Sequence, residues 1–577
     1  MNMRRILYIL SVLLLITFEA SAQAKKPFIE SLQEKNGWVD SVFKKLSRRE
    51  RIAQLFMIRA HTNRGKKFED SVANVIKREK IGGLVFFQGG PQRQAALLNR
   101  YQSLTNIPLL VAMDGEWGIG MRLDSTVSYP YQMTLGAIQD NNLIYQMGSE
   151  VAKDFKRLGM QVNFAPDVDV NNNPKNPVIG YRSFGDNKYN VATKAAAYMK
   201  GMQDEGILVS LKHFPGHGDT DVDSHYDLPQ LPFSRARLDS LEMYPFRELI
   251  KQNASGVMVA HMSIPALDNT PHLPSTLSEP IVTGILKNDL GFKGIIFSDA
   301  MEMKGVVKYF PNGEADVRGI IAGNDVIELS QNSNRAIKLI RKAIHQKRLT
   351  WNRVNESVKK VLAAKYWAGL NNYKAIDTNN VTAYLNRPEA QLLNQRLTDA
   401  AITVVKGANG LKSLDTKKKT AIISLGMSEV TTFQKEMGRN FSNSTNYLLS
   451  KIASASDILK MFQELKSYEQ IIVAIHDYRP RPASVLDYNK ELLTCIAELS
   501  KLNTVTIVFA NPYTIASLPG IEQSKTLIVG YQNSNEMQRS AAKVLAGQMT
   551  ANGRLPVTIN AFFKNGDGVE VLPAANK

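Results

Sequence analysis

The chain has 577 residues, with 71 Lys and Arg against 53 Asp and Glu, and a formal net charge of +18. At about 150 residues per domain, that length suggests two to four domains, or one barrel with a companion. The 44% hydrophobic and 21% charged fractions exclude wholesale disorder. The single cysteine, Cys495, excludes an intramolecular disulfide framework and any site built from several thiolates. The positive charge is scattered: its densest runs, Lys44-Lys45-Leu46-Ser47-Arg48-Arg49 and Lys417-Lys418-Lys419, are short and lack interleaved aromatics. They read as solvated faces with a mild preference for anionic surfaces or acidic polymers, and no nucleic-acid partner is expected.

From the N-terminus, Arg4 and Arg5 precede an apolar run from Ile6 to Phe18, and Ala20-Ser21-Ala22 supplies an A-x-A cleavage site. The run is short for a span of about 20 residues. Residues 1–22 therefore read as a signal peptide, with an uncleaved anchor as the competing reading. The expected product is exported, periplasmic or secreted, without stable membrane insertion.

From Ser47, which with Glu50 forms a capping box, apolar strands alternate with amphipathic helices. Strands are expected at 56–59, 83–87, 109–113, 162–165, 209–212, 256–260, 294–298 and 325–329, with helices such as 143–158, 189–205 and 235–252 between them. Mostly apolar strands separated by helices mean a parallel sheet covered on both faces, and eight repeats suggest a (β/α)₈ barrel of the TIM type over residues 23–370. A doubly wound open sheet is the competing architecture. The pattern loosens near residues 371–390, read as a linker. Short strands at 420–425, 471–475, 505–510 and 526–529 then point to a smaller α/β sandwich over residues 391–577.

Asp114, Asp167, Lys212-His213, His261 and Asp299 fall at or just past strand C-termini, the rim where such barrels build active sites. The run Lys212-His213-Phe214-Pro215-Gly216-His217-Gly218-Asp219-Thr220-Asp221-Val222-Asp223-Ser224-His225 gathers three of the chain's eight histidines in an irregular loop. A metal reading is open to His and Asp ligands, but Lys212 would set a cation beside the ion, and the spacing is not that of HExxH. Hydrogen bonds within the loop are the plain structural explanation for His217 and Asp219. Acid/base chemistry picks out Asp223 and His225, which share a face if the segment is extended.

Asp299 closes an apolar strand, where a carboxylate serves as nucleophile, metal ligand, hydroxyl acceptor or strand-ending cap; Glu302 competes but lies beyond the strand end. Asp114 and Arg182 contribute to a pocket of paired donors and acceptors suited to sugar hydroxyls. Asp167 and Asp169 lack the following acid that a substrate-assisted chitinase needs.

These residues resemble the β-N-acetylglucosaminidases of glycoside hydrolase family three. The Lys212–His225 run with Pro229 is similar to their signature loop, Gly291 to Met303 to their nucleophile strand, and Gly180 to Gly185 to their arginine-bearing sugar loop. Gly553-Arg554-Leu555-Pro556-Val557-Thr558-Ile559 resembles the close of their second domain. The resemblance implies a retaining hydrolase without a cofactor or metal, releasing terminal N-acetylglucosamine from peptidoglycan fragments or chitooligosaccharides. It makes Asp299 the nucleophile and His225 the general acid/base assisted by Asp223, while Asp114, Arg182, Lys212 and His213 hold the sugar. An imidazole fits the acid role because its ordinary pKa is already near 6.5.

One departure stands out: Gly115-Glu116-Trp117-Gly118 replaces the usual Gln-Glu-Gly-Gly after Asp114, though Arg122 follows at about the expected distance. Trp117 is therefore expected to reshape the sugar pocket. Because the acid sits in the barrel loop, the second domain is left without a role and is expected to be dispensable for the chemistry. A phosphorylase or β-glucosidase of the same family, a metal-dependent hydrolase, and a non-catalytic wall-sugar binding protein are the alternatives.

Overall fold

The computed structural model describes residues 25–224, 226–481 and 486–573. Strands β1 (Phe56–Ala60), β2 (Gly83–Phe86), β3 (Leu110–Met113), β4 (Val162–Asn163) and β5 (Leu208–Val209) follow one another in the chain. β6 (Leu211–Phe214), β7 (Gly256–Val259), β8 (Ile295–Ser298) and β9 (Ile327–Glu328) complete the set. Every pairing among them is parallel, with registers such as Met57 to Gly83, Val85 to Ala112 and Gly256 to Ile295. The ladders run β5-β4-β3-β2-β1-β9 and β6-β7-β8. β5 and β6 are one barrel strand interrupted at Ser210, and a Phe297–Val326 bridge joins β8 to the segment leading into β9. The sheet thus closes into the (β/α)₈ barrel that the eight apolar segments implied.

Those strands are apolar because closure buries them on both faces; Leu84, Val111, Val162, Val257 and Ile296 are fully inaccessible. The Ser47 box forms, Ser47 Oγ accepting from the Glu50 amide while the Glu50 carboxylate accepts from that of Ser47. One helix differs from expectation: 235–252 splits into Arg235–Ser240 and Tyr244–Ile250. Pro245, which has no N–H to donate, sits in the first turn of the second piece instead of inside a continuous helix.

The second domain holds β10 (Thr403–Lys406), β11 (Thr420–Leu425), β12 (Ser444–Leu449), β13 (Gln470–His476), β14 (Thr504–Phe509) and β15 (Thr526–Val529). Their order is β10-β15-β14-β13-β11-β12, five parallel strands with β10 antiparallel on one edge. Helix Pro388–Ala401 packs on both barrel helix Asn141–Arg157 and second-domain helix Asn535–Leu545. Just before it, Arg387 forms ion pairs with Glu150 and Asp154 of the barrel. The C-terminal tail returns to the barrel: the Arg554 amide donates to the Ala137 carbonyl, and Asp186 accepts from the Thr558 amide. Gly185, at φ +136°, lies so close to Pro556 that a Cβ there would strike its carbonyl. The tail is thereby seated directly beneath the Gly180–Gly185 loop.

Candidate active site

All barrel strands point the same way, so their C-terminal ends form one rim. A cleft of about 400 Å³ opens there, lined among others by Asp114, Arg182, Lys212, His213 and Asp299. Each reaches it for a local reason. Asp114 directly follows β3, Lys212 and His213 lie in β6, and Asp299 directly follows β8. Arg182 closes the 3₁₀ turn Gly180–Arg182, which Asn171 holds by accepting from the Gly180 amide.

The centre of the site is a buried charge network. The Lys212 ammonium donates to Asp114 Oδ1 at 2.7 Å and pairs with Glu116 Oε1 at 2.8 Å. Arg182 grips Glu116 with two nitrogens, Nη2 at 2.7 Å from Oε1 and Nε at 3.0 Å from Oε2. Arg122 donates to Asp114 Oδ2 at 2.5 Å. Burial alone would raise both carboxyl pKa values, but the cations outweigh it. Lys212 and Arg122 hold Asp114 far below the usual carboxylate range, while Arg182 and Lys212 bring Glu116 to about 2. Asp114 and Glu116 in turn outweigh burial at Lys212 and raise it. Both carboxylates and the lysine are therefore charged at neutral pH, and none can be deleted without leaving its partners buried and unbalanced.

A second set sits beside it. His213 Nδ1 lies 2.7 Å from Asp169 Oδ2, and Nε2 lies 3.2 Å from Arg182 Nη2. A guanidinium can only donate, so Nε2 accepts and Nδ1 carries the proton that Asp169 receives. Asp169 also accepts from the backbone amides of His213 and His217; burial opposes its ionisation, but His213 and these bonds bring it to about 2. Burial and the Asp169 charge hold the proton of Asp167 well above the ordinary range. Asp167, Asp169 and His213 lie close enough to suggest a metal site. The arrangement does not suit one: Arg182 Nη2 already stands 3.7 Å from Asp167 Oδ2, and Asp169 is saturated by N–H donors. His217 is tied down by its own loop, with Nδ1 2.6 Å from Thr220 Oγ1, and burial lowers its pKa to about 4. Asp219 pairs with Arg237. His217 fits the reading of a loop tied down by its own hydrogen bonds, whereas Asp219 ties the loop to the helix Arg235–Ser240.

The loop beyond corrects one expectation. The Asp223 carbonyl accepts from the amides of Tyr226 and Asp227, so this residue opens a turn, and the argument from an extended chain does not apply to it. Asp223 is half-buried, and its neighbour Ser224 lines the cleft. His225 lies outside the described residues. Asp299 is half-buried, with Oδ1 accepting from the Ala300 amide at 2.7 Å. Glu302 also reaches the cleft, but it is exposed and paired with Arg59. His261, at the end of β7, lies within hydrogen-bond distance of Thr276 Oγ1 and the Ala300 carbonyl, next to Asp299.

Several residues of the site had no assigned part in the sequence reading. Glu116 was noted only as belonging to an altered motif, yet it anchors both Arg182 and Lys212. Arg59 and Glu328 enter the cleft from β1 and β9. Trp117 forms one wall with Tyr181 and the adjoining Tyr131, whose ring centroids lie 5.9 and 4.9 Å from its own. Arg481, from the second domain, lines the same cleft beside Tyr181. With Pro556 packed against the Arg182 loop, that contact gives the second domain, which the sequence left without a role, a place beside the site.

Comparison with known proteins agrees with this geometry. The model of the glycosyl hydrolase family 3 N-terminal domain matches residues 47–364. Beta-hexosaminidase A of Pseudoalteromonas piscicida is 28% identical, over 85% of this chain and 91% of its own. A Cellulomonas fimi protein named beta-N-acetylglucosaminidase/beta-glucosidase is 23% identical, over 90% and 95% respectively. Among solved structures, a glycoside hydrolase family 3 beta-N-acetylglucosaminidase from Paenibacillus sp. str. FPU-7 superposes with a TM-score of 0.75 at 28% identity. That match covers 89% of this chain and 99% of the other. The beta-glucoside phosphorylase BglX, at 21% identity and a TM-score of 0.76 over 92% and 96%, shares the fold. The closed barrel, its charged rim and the matched domain together show that this chain belongs to glycosyl hydrolase family 3 and is a glycoside hydrolase.

Proposed function

We propose that this glycoside hydrolase removes terminal β-linked N-acetylglucosamine from peptidoglycan fragments or chitin-like oligosaccharides, with retention of configuration. The observation that carries the reading is that Asp299 opens onto the same cleft as the Asp114–Lys212–Glu116–Arg182 network. A nucleophile and a charge-balanced set of hydroxyl ligands therefore face one sugar-sized space. In this account Asp299 attacks the anomeric carbon and forms a glycosyl-aspartate, while His225, assisted by Asp223, gives its proton to the departing oxygen. His225 then takes a proton from the water that releases the sugar. Asp114 accepts from sugar hydroxyls, and His213, whose ring nitrogens are engaged by Asp169 and Arg182, meets the sugar where a hydroxyl takes the place of Arg182 as the donor to Nε2. Lys212 has three N–H donors and two carboxylate neighbours, which leaves one donor for a hydroxyl. Relatives named as hexosaminidases support the N-acetyl preference. The leader pattern of residues 1–22 supports export, and among the described residues no helix is long and apolar enough to cross a membrane.

The test is hydrolysis of a chromogenic N-acetyl-β-glucosaminide beside the matching β-glucoside, with and without chelator and with and without phosphate. Chelator-resistant preference for the N-acetyl substrate, unaffected by phosphate, is the expected result. Preference for the glucoside would mean that the Trp117–Tyr181 wall selects a different sugar. Cleavage only with phosphate would make the enzyme a phosphorylase.

A further inference from the structure

Of the five acidic residues that line the cleft, Asp114 and Asp299 are the two that act on Glu328. Asp114 is neutralised by Lys212 and Arg122. Glu328 is held in place by its backbone, while no described residue hydrogen-bonds its carboxyl Oε2. Its amide donates to Ser298 Oγ at 2.9 Å and its carbonyl accepts from the Met301 amide at 2.9 Å, so its backbone clasps the strand end that bears Asp299. Its side chain lines the cleft while only 4% of the residue is exposed, and the buried Oε2 has no hydrogen-bond partner among the described residues. The cations facing it are Lys212 and Arg59, already engaged by Asp114 with Glu116 and by Glu302; the anions facing it are Asp114 and Asp299. Burial, with those two acids, raises its pKa well above that of an ordinary glutamic acid.

A buried carboxyl without a partner costs stability and returns none to the fold, so its retention on a cleft wall points to a ligand. We infer that Glu328 is a sugar-contacting residue, donating a hydrogen bond from its carboxyl to an oxygen of the bound sugar. The inference rests on the functional reading above and adds to it a hydrogen-bond donor at the end of β9. A neutral acid meets the need where a third carboxylate would repel the charges of Asp299 and Asp114. The sugar oxygen would satisfy the Oε2 that no described residue pairs.

The test compares Glu328→Gln, which keeps a neutral donor, with Glu328→Leu, which fills the space and donates nothing. Both full-length variants are expected to fold with an unfolding midpoint at or above that of the unaltered protein at pH 7. With the chromogenic N-acetyl-β-glucosaminide, Glu328→Gln should keep kcat/KM within about threefold, and Glu328→Leu should lose about tenfold to a hundredfold. On the alkaline side, ionisation of Glu328 should slow the unaltered enzyme, and that contribution should be missing in Glu328→Gln. Unchanged turnover in Glu328→Leu, equal damage in both variants, or a lowered midpoint in both would overturn the assignment. If the unaltered protein cleaves no N-acetyl-β-glucosaminide, the functional reading fails by itself. The rise in unfolding midpoint on adding free N-acetylglucosamine, kept in Glu328→Gln and lost in Glu328→Leu, would then still uphold the contact. No rise in the unaltered protein would overturn both.

Discussion

Asp325 and Glu328 stand three residues apart, one just before β9 and the other at its C-terminal end, and their carboxyls meet opposite environments. At the lower end, Asp325 accepts from the Ile296 amide, Ser357, Arg353 and Lys360, and it pins β8, β9 and helix Trp351–Trp367 together. Burial opposes its ionisation, but Lys360 and Arg353 outweigh burial and hold it far below the usual range. At the upper end, Glu328 is also buried and has an oxygen that no described residue satisfies. The contrast separates a carboxylate that holds the fold from a carboxyl kept for a ligand. Depth of burial does not distinguish them; the count of donors does.

The contrast predicts that rim substitutions outside the buried charge network strike turnover and spare folding, with the reverse at the barrel floor. Asp299→Ala should lose about a thousandfold or more in kcat while keeping its unfolding midpoint and its affinity for N-acetylglucosamine, measured by kinetics and calorimetry. Near-normal turnover would remove Asp299 from the mechanism. Asp325→Asn should cost about 3–5 kcal/mol, because it leaves Lys360 and Arg353 buried without their counter-charge. Chemical denaturation would show it, and an unchanged midpoint would break the comparison at its lower end. Glu116→Gln should do some of both, losing about a hundredfold in kcat/KM and some stability, since Arg182 and Lys212 share that carboxylate.

The smaller effects carry opposite signs. Glu328 has a raised folded pKa, so the native state retains a proton that the unfolded chain releases above about pH 4.3, and stability falls as pH rises through that window. Glu328→Leu should therefore raise the midpoint at neutral pH, and the gain should vanish as pH falls to about 4. Asp325 has a depressed folded pKa, so its contribution is present at neutral pH and begins to fade as pH falls through about 4. Midpoints measured from pH 3 to pH 8 for both variants would show the two differences shrinking toward zero from opposite sides. Arg481→Ala, at the cleft mouth, should change KM by a few-fold with little effect on kcat.

Much of the fold is legible in the sequence because the barrel strands are buried on both faces and so read as unbroken apolar runs. β12 escaped for the converse reason: it is an edge strand, and Ser444, Thr445 and Asn446 are half-buried or exposed, without the apolar run that marks an interior strand. The Arg235–Gln252 pattern kept helical periodicity across a break that Pro245 imposes. At the site, Asp114, Lys212, His213 and Asp299 could be found because each ends or follows an apolar strand. Glu116 could not be ranked in advance, since only the fold brings Arg182 against it. Glu328 left a faint signal, one acid inside the apolar segment Val326-Ile327-Glu328-Leu329. Arg481 left none, because its role depends on how two domains dock.

The account's central claim is that a glycosyl-enzyme forms on Asp299. It is tested most directly by treating the full-length protein with a fluorinated N-acetylglucosaminyl donor that accumulates this intermediate, then mapping the adduct by mass spectrometry of peptides. The account predicts one sugar on the peptide carrying Asp299, with the label fixed to that carboxylate. A sugar on Glu302 or Glu328, or turnover with inverted configuration and no adduct, would contradict it.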